Sequence, residues 1–395
     1  CLVCPDASKH RAEGKAYRCF CSKERLEKIQ NETVGGGYDR HCRDLPQEEI
    51  DRLLAEGVPY VIRQKMPIEG STSFTDAVFG EITVENTELQ DQILIKTDGY
   101  PTYNFANVID DHTMGITHVV RGCEYLSSTP KYNLLYEAFG WEIPTYIHLP
   151  LIMGKDADGN VSKLSKRHGA TGFYDLIDEG YLPEAIINYI ALLGWCPKDN
   201  QEIFTLKELE KAFDISGISK SPAVFDYDKL SWFNGEYIKA MTPEKFTEVA
   251  MPYYKKVFGD KQMPYEKFAA ILQKRTTQLT QIPEMLDFFA ELPSYTKELF
   301  VNKKSKTNLE NSPVVLKEAY DRLKAMPEWN ETSIHDCLIN MAVEKELKNG
   351  TVMWPVRIAA AGKTVTPGGA VEILDILGRD ESLARLEKGM AILAE

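Results

Sequence analysis

The heptapeptide KLSKRHG, residues 163–169, gathers Lys163, Lys166, Arg167 and His168 around Ser165 in a segment that is otherwise polar and carries Gly154 and Gly159. These residue types suit a polyphosphate. Lysine supplies a compact, mobile charge for phosphate oxygens, serine a short donor, and the glycines let a loop open and close. The pattern is not the GxxxxGK[ST] cradle of P-loop enzymes. On spacing alone, a solvated charged turn is the simpler reading.

A second stretch shifts that balance. DGYPTYNFANVIDDHTMGITHVVRG, residues 98–122, places Tyr103, Asn104, Asn107, Asp110, Asp111 and Arg121 among apolar residues. That is more polar side chains than a buried strand region needs. Arg121 follows the strand-like THVV, and ligands of α/β sheets gather at the carboxyl ends of strands. A guanidinium fixed there suits a carboxylate. The structural alternative is that Asp110 and Asp111 cap a turn and Arg121 pairs with one of them.

The elements that position these groups can be read from periodicity. SKERLEKIQ (22–30) reads as a helix with Ser22 at its N-cap and Leu26 and Ile29 on one face. GVPYVIRQKMP, FGEITVEN and QILIKTDG read as strands bounded by turn residues. THVVRG, SSTPKYNLLYEAFG and PTYIHLPLIMG then give strand, helix and buried strand, with Pro130 in the first helical turn. That order marks part of a parallel sheet. YLPEAIINYIALLGW (181–195) is a helix with Ile186, Ile187, Ile190 and Leu193 at helical spacing. From Thr242 onward nearly everything is helical, with Thr242-Pro243, Ser312-Pro313 and Thr332-Ser333 as N-terminal punctuation. AVEILDILGRDESLARLEKGMAIL carries the 3.6-residue period as one run.

The chain has 395 residues, enough for two to four domains at roughly 100–200 residues each, and its 43% hydrophobic and 27% charged residues describe a folded protein. A net charge of −13 argues against indiscriminate coating of nucleic acid, yet permits a local basic face. No apolar run approaches the ~20 residues needed to span a bilayer, and no signal peptide opens the chain, so the cytoplasm is the expected compartment. The 8 cysteines are too sparse for a disulfide scaffold, and most, including Cys123, Cys196 and Cys337, are expected as single reduced thiols in apolar surroundings. The chain opens on Cys1, and CLVCPDASKH shows no clear period, so the native N-terminus is expected to lie upstream.

YPTYNFANVIDDHTMGITHVVRG, LIMG, KLSKRHG, GYLPEAIINYIALLGW, FDYDKLSWFNGEYI and MWPVRIAAAG, taken in order, resemble the bacterial glutamyl-tRNA synthetases, which are class I aminoacyl-tRNA synthetases. The similarity runs from about Gly14 to the C-terminus. It implies an α/β plus all-α architecture: part of a class I Rossmann-type catalytic domain with an inserted acceptor-binding domain, then an α-helical anticodon-binding region. The implied divisions are an uncertain leader (1–12), the α+β insertion (13–99), and the C-terminal half of the Rossmann domain (100–153). The KLSKRHG loop with stem-contact helices (154–240) and the helical anticodon region (241–395) follow.

By resemblance, Lys166 contacts the ATP phosphates, with Lys163 and Ser165 supporting the loop. Arg121 would hold the carboxylate of L-glutamate, and Tyr103 and Asn107 would line the amino-acid pocket. Glu124 would lie near ATP and the tRNA end, and Leu151 and Ile152 would offer backbone groups to adenine. The implied activity is ligation of glutamate to tRNA(Glu) by a monomer free of membranes, with ATP as substrate and Mg2+ alongside it. A non-discriminating member would also charge tRNA(Gln), and a non-catalytic tRNA-binding fragment is the competitor from another class. The family's HIGH-type signature belongs upstream of Gly14 and is absent from this sequence, so the chain as given is expected to be inactive by itself. Cys19, Cys21, His41 and Cys42 fall where some members of the family bind Zn2+. Adjacent residues such as His41 and Cys42 rarely both reach one ion, so reduced structural thiols are preferred. Lys303, Lys304 and Lys306 are read as solvated surface in preference to phosphate contacts.

Overall fold

The structure is a computed structural model that describes residues 14–32, 37–156, 158–165, 168–169 and 172–395. Its first part contains β1 (Ala16–Cys19), α1 (Lys23–Glu32), α2 (Gln47–Ala55) and β2 (Val61–Gln64). The Ser22 hydroxyl accepts the Arg25 amide at 3.3 Å, which caps α1 as expected. A hairpin of β3 (Ser71–Asp76) and β4 (Gly80–Glu85) follows, then β5 (Ile93–Ile95). β1, β2 and β5 form one antiparallel sheet.

Next come α3 (Tyr103–Thr113), β6 (His118–Gly122), a 3₁₀ turn (Cys123–Ser128), α4 (Thr129–Phe139) and β7 (Thr145–Leu149). β6 and β7 are parallel, with Arg121 opposite His148, and α4 is their crossover. β3 lies parallel to the other side of β7, giving the order β4-β3-β7-β6. One apolar cluster joins Ala16, Ile62 and Leu94 to Phe105 and Ile109 of α3 and to Tyr132, Leu135 and Phe139 of α4. Packing therefore continues across residue 99.

PTYIHLPLIMG is two strands where the sequence reads as one. β7 ends at Leu149, and β8 (Ile152–Lys155) belongs to a separate sheet, between β9 (Val161–Lys163) and β10 (Ala223–Val224). Pro150 lies at the break; it has no amide to continue a ladder.

α5 (Phe173–Asp178), α6 (Pro183–Gly194), α7 (Leu206–Ala212) and α8 (Tyr227–Ala240) come next. The buried stripe of α6 is Ala185, Ile186, Asn188 and Tyr189, while Ile187 and Ile190 face outward. An apolar count misses this offset, because Asn188 is held inside by bonds to the Glu202 carbonyl and the Phe204 amide.

The remaining chain is α9 (Pro243–Phe258), α10 (Tyr265–Leu272), α11 (Ile282–Ala290), α12 (Asn311–Ala325), α13 (Glu331–Glu344), α14 (Asn349–Ala361), α15 (Ala370–Leu377) and α16 (Arg379–Ala394). A continuous core runs through these helices and includes Phe246, Phe268, Phe300, Leu316, Leu338 and Leu386. Thr242 caps α9 through the Lys245 amide, as expected. One other cap lies slightly upstream of the expected residue, where Asn330 accepts the Ser333 amide, and the turn before α12 is held by Asn308, which accepts the amides of Glu310 and Asn311. Ser312 is buried inside α12. The last helical run breaks at Gly378, whose φ of 77° favours glycine.

Candidate functional site

Arg121 ends up at the carboxyl end of β6 because parallel pairing with β7 fixes its register. Above it, Tyr103, Asn107 and Asp111 recur at four-residue intervals along α3 and so share a face. The Arg121 guanidinium lies 5.5 Å from the Tyr125 ring centre and 5.0 Å from that of Tyr132. Nη1 is buried and has no hydrogen-bond partner, as are both amide atoms of Asn107. Nη2 is 3.8 Å from Asp111 Oδ2, an ion pair too long to be a hydrogen bond. Asp111 and Asp110 lie in the last turn of α3, so the structural alternative survives only as this loose pairing. Burial raises the Asp111 pKa, outweighing the attraction of Arg121. Tyr103 is exposed at the N-terminal end of the same face.

A buried donor left unpaired costs about 1–3 kcal/mol, and more if charged. Arg121 Nη1 and the Asn107 amide are therefore polar groups that an added partner would satisfy. Two side chains support this region from below that sequence reasoning missed. Asp76 accepts the Val78 and Phe79 amides through Oδ1, while Oδ2 lies 2.6 Å from His148 Nδ1. His148 Nε2 is 3.4 Å from the Thr129 hydroxyl, which donates to the Tyr125 carbonyl. The available signal was a histidine inside an apolar strand, TYIHL.

The described part of KLSKRHG is the far arm of the β8–β9 hairpin and the turn beyond it. Met153 pairs with Lys163 and Gly154 with Ser162. The His168 ring bonds the Ser162 hydroxyl at 3.2 Å and the Ser165 hydroxyl and amide at 3.1 Å. Its face lies on Gly154, where a Cβ would approach the ring to 2.6 Å. Gly154 is thus needed for this close approach as well as for any looseness.

Lys163 Nζ reaches Glu124 Oε1 at 3.2 Å, joining the hairpin to the turn that follows Arg121. The backbone amide of Glu124, then Lys163, holds its carboxyl below the usual range. Leu151 and Ile152 lie at the base of the hairpin, and their carbonyls already accept the Ala223 and Leu164 amides. Lys166 and Arg167 lie outside the described residues.

The sulfurs of Cys19, Cys21 and Cys42 converge within 4.8 Å of one another. His41 does not join them and is exposed, which corrects the four-residue set. The nearest further heteroatom is Tyr38 Oη, 3.2 Å from Cys19 Sγ. Three thiols and a phenol fit a structural Zn2+, which would tie β1 to the 38–42 turn. Of the cysteines expected singly in apolar surroundings, Cys196 is exposed and Cys123 and Cys337 are half-buried.

A cavity of about 740 Å³ opens in the helical half, lined in part by Arg275, Gln281, Glu284, Lys363, Thr364 and Thr366. Arg357 stands beside it, 4.7 Å over the Trp354 ring, and donates to the Thr364 carbonyl. Its Nε is buried without a partner, and burial and the Arg275 charge lower its pKa. Unneutralised guanidiniums beside hydroxyls suit the edges and phosphates of a nucleotide. Lys303, Lys304 and Lys306, read from the sequence as solvated surface, lie on an exposed turn elsewhere.

Residues 9–232 match the family described as "tRNA synthetases class I (E and Q), catalytic domain", and residues 245–390 match "Anticodon binding domain". A glutamate–tRNA ligase of Clostridium kluyveri is 55% identical over 382 residues, covering 96% of this chain and 77% of that protein. One from Clostridium botulinum (strain Loch Maree) is 54% identical over 388 residues, covering 97% and 79%. Among solved structures, a glutamate tRNA ligase from Elizabethkingia meningosepticum, in complex with its amino acid, superposes with a TM-score of 0.85 at 32% identity, covering 98% of this chain and 82% of that one. Glutamate-tRNA synthetase from Elizabethkingia anophelis gives 0.82 at 31% identity, with the same coverage.

Proposed function

The chain belongs to the class I aminoacyl-tRNA synthetases, among the glutamate–tRNA ligases, and from that membership we propose that, when joined to the HIGH-type signature this sequence does not contain, it activates L-glutamate with ATP and transfers it to tRNA(Glu). In the first step the glutamate α-carboxylate attacks the α-phosphate of ATP, forming glutamyl adenylate and releasing pyrophosphate. In the second, a hydroxyl of the terminal tRNA ribose attacks the adenylate carbonyl and AMP leaves.

The observation that carries this reading is that Nη1 of Arg121 and the amide of Asn107 are both buried without a partner. A side-chain carboxylate accepts from both donors and relieves both penalties. Tyr103 closes the same face. Lys163 and Ser165 would set the hairpin from which Lys166 reaches the phosphates. Leu151 and Ile152 would border the adenine, and Glu124 the region between nucleotide and tRNA end. Mg2+ accompanying ATP would neutralise phosphate charge. The helical half would take the anticodon arm, with Arg275 in the cavity wall and Arg357 beside it supplying positive charge, Lys363 being paired with Asp287. A soluble monomer acting in the cytoplasm fits this work.

The test is recovery of bound RNA after incubation with total bacterial tRNA, followed by sequencing. Enrichment of glutamate tRNA is expected, and co-enrichment of glutamine tRNA would mark a non-discriminating enzyme. No enrichment by a protein shown to be folded would overturn the reading.

A further inference from the structure

Asn234 of α8 takes no part in either candidate site, yet it is completely buried and uses its whole side chain between them. Its Oδ1 accepts the Leu182 amide at 2.8 Å, and its Nδ2 donates to the Thr277 carbonyl at 2.6 Å and the Gly180 carbonyl at 3.3 Å. On one side, Gly180 closes the turn after α5, the helix that follows KLSKRHG. On the other, the Thr277 amide and hydroxyl both donate to Oε1 of Gln281, which lines the 740 Å³ cavity.

Two further bonds cross the same seam. The Leu279 amide donates to the Gly180 carbonyl at 3.0 Å, and the Thr280 hydroxyl donates to the Glu179 carbonyl at 2.6 Å. The fit admits no slack: Gly180 has φ 92°, and a Cβ there would lie 2.6 Å from the Thr280 amide nitrogen. The contacts thus run unbroken from cavity wall to Gln281, Thr277, Asn234, Gly180 and α5. A contiguous chain of hydrogen bonds of this kind can carry coupling between two sites when both bias the element at its end.

We propose that Asn234 is a positioning residue that couples a nucleotide base seated against Gln281 in the cavity to the placement of α5. The inference rests on the proposed function, since it takes the cavity ligand to be the anticodon arm of a tRNA. Seating a base fixes the Gln281 side chain, which holds the 277–280 turn, and Asn234 with Thr280 carries that order to Glu179 and Gly180. The helix beside the phosphate-binding motif is then ordered by RNA bound in the other half of the molecule.

The experiment is amide hydrogen exchange of residues 173–180, with and without an RNA hairpin carrying the anticodon arm of a glutamate tRNA. Saturating hairpin should slow exchange in α5 at least ~5-fold, the lower end of ordinary coupling between sites. Thr280→Val removes one seam bond at an exposed position, and Asn234→Asp removes the two donated bonds while keeping the acceptor. Both variants should bind the hairpin as the parent does and lose most of the RNA-dependent slowing, whatever their exchange without RNA. A structural role alone would change basal exchange and leave the RNA-dependent part intact. Should Asn234→Asp fold poorly, Thr280→Val carries the test. Hairpin binding with unchanged α5 exchange, or full slowing in Thr280→Val, overturns the coupling alone. Failure of the parent to bind the hairpin overturns the placement of the anticodon arm, and the coupling with it.

Discussion

The Arg121 pocket and the KLSKRHG hairpin lie on either side of the Lys163–Glu124 contact, yet they are built on opposite terms. Around Arg121 some buried polar atoms lack partners, namely Nη1 and both Asn107 amide atoms. In the hairpin the polar atoms of Ser162, Ser165 and His168 satisfy one another near the surface. On the proposed function, the pocket's donors would be held in place before a ligand arrives, at a cost to stability that the ligand would remove. The hairpin carries no such cost. Its tightest approach among the described residues is that of His168 to Gly154. On the proposed function, a site that selects a small acid would gain from preorganisation, whereas a loop that meets a large, departing polyphosphate would gain from rearranging at low cost.

The largest effect that would break this comparison is at Arg121. Arg121→Ala should weaken glutamate binding by ~10- to 100-fold, since a hydrogen bond to a charged group contributes about 1.5–3 kcal/mol. Arg121→Lys should recover little of it, because an ammonium cannot reproduce a planar pair of donors. Calorimetric titration with glutamate measures both, and an unchanged affinity would remove Arg121 from the pocket. Gly154→Ala comes next. Forcing a methyl against the His168 ring should destabilise the hairpin by about 1–3 kcal/mol, as overpacking does. Faster amide exchange at Leu164 and Met153 would report it, while glutamate affinity stays the same. Adding His168→Ala should restore the slow exchange. If it does not, the constraint lies in the glycine backbone and the ring contact is incidental.

Much of this was legible in the sequence, for physical reasons that differ by region. The βαβ unit around Arg121 showed because parallel strands are near-continuous apolar runs and its helix carries proline in the first turn. α9 showed because Thr242 and Pro243 act locally, through the Lys245 amide. What escaped depended on contacts distant in sequence. Asp76 and His148 are 72 residues apart and read as ordinary members of two strands. Tyr38 displaced His41 beside the thiols because which side chain faces Cys19 depends on the path of the 38–42 turn, which spacing does not give. The cavity escaped for a related reason. Arg275 and Arg357 come from separate segments, and neither belongs to a charge run.

The smallest effect is the most discriminating, because it tests whether the contact between the two regions matters to the fold at all. Lys163 and Glu124 are 66% and 45% exposed, so their ion pair at 3.2 Å should stabilise the protein by no more than about 0.5 kcal/mol. Lys163→Ala should therefore leave the unfolding midpoint in urea nearly unchanged at pH 7, and less changed still at high salt. The sign of the pH dependence follows from Glu124. Its carboxyl is held below the usual range in the folded state, so whatever the pair contributes is present above the unfolded carboxylate pKa. That contribution is lost as pH falls through the lower folded value. The parent and Lys163→Ala should thus differ slightly at neutral pH and converge in acid. A difference above ~1 kcal/mol would mean that the hairpin is anchored to the pocket turn in the resting protein, and the contrast between a fixed pocket and a compliant loop would fail. A small difference, with ATP affinity reduced, would place Lys163 in service of the nucleotide instead of the fold.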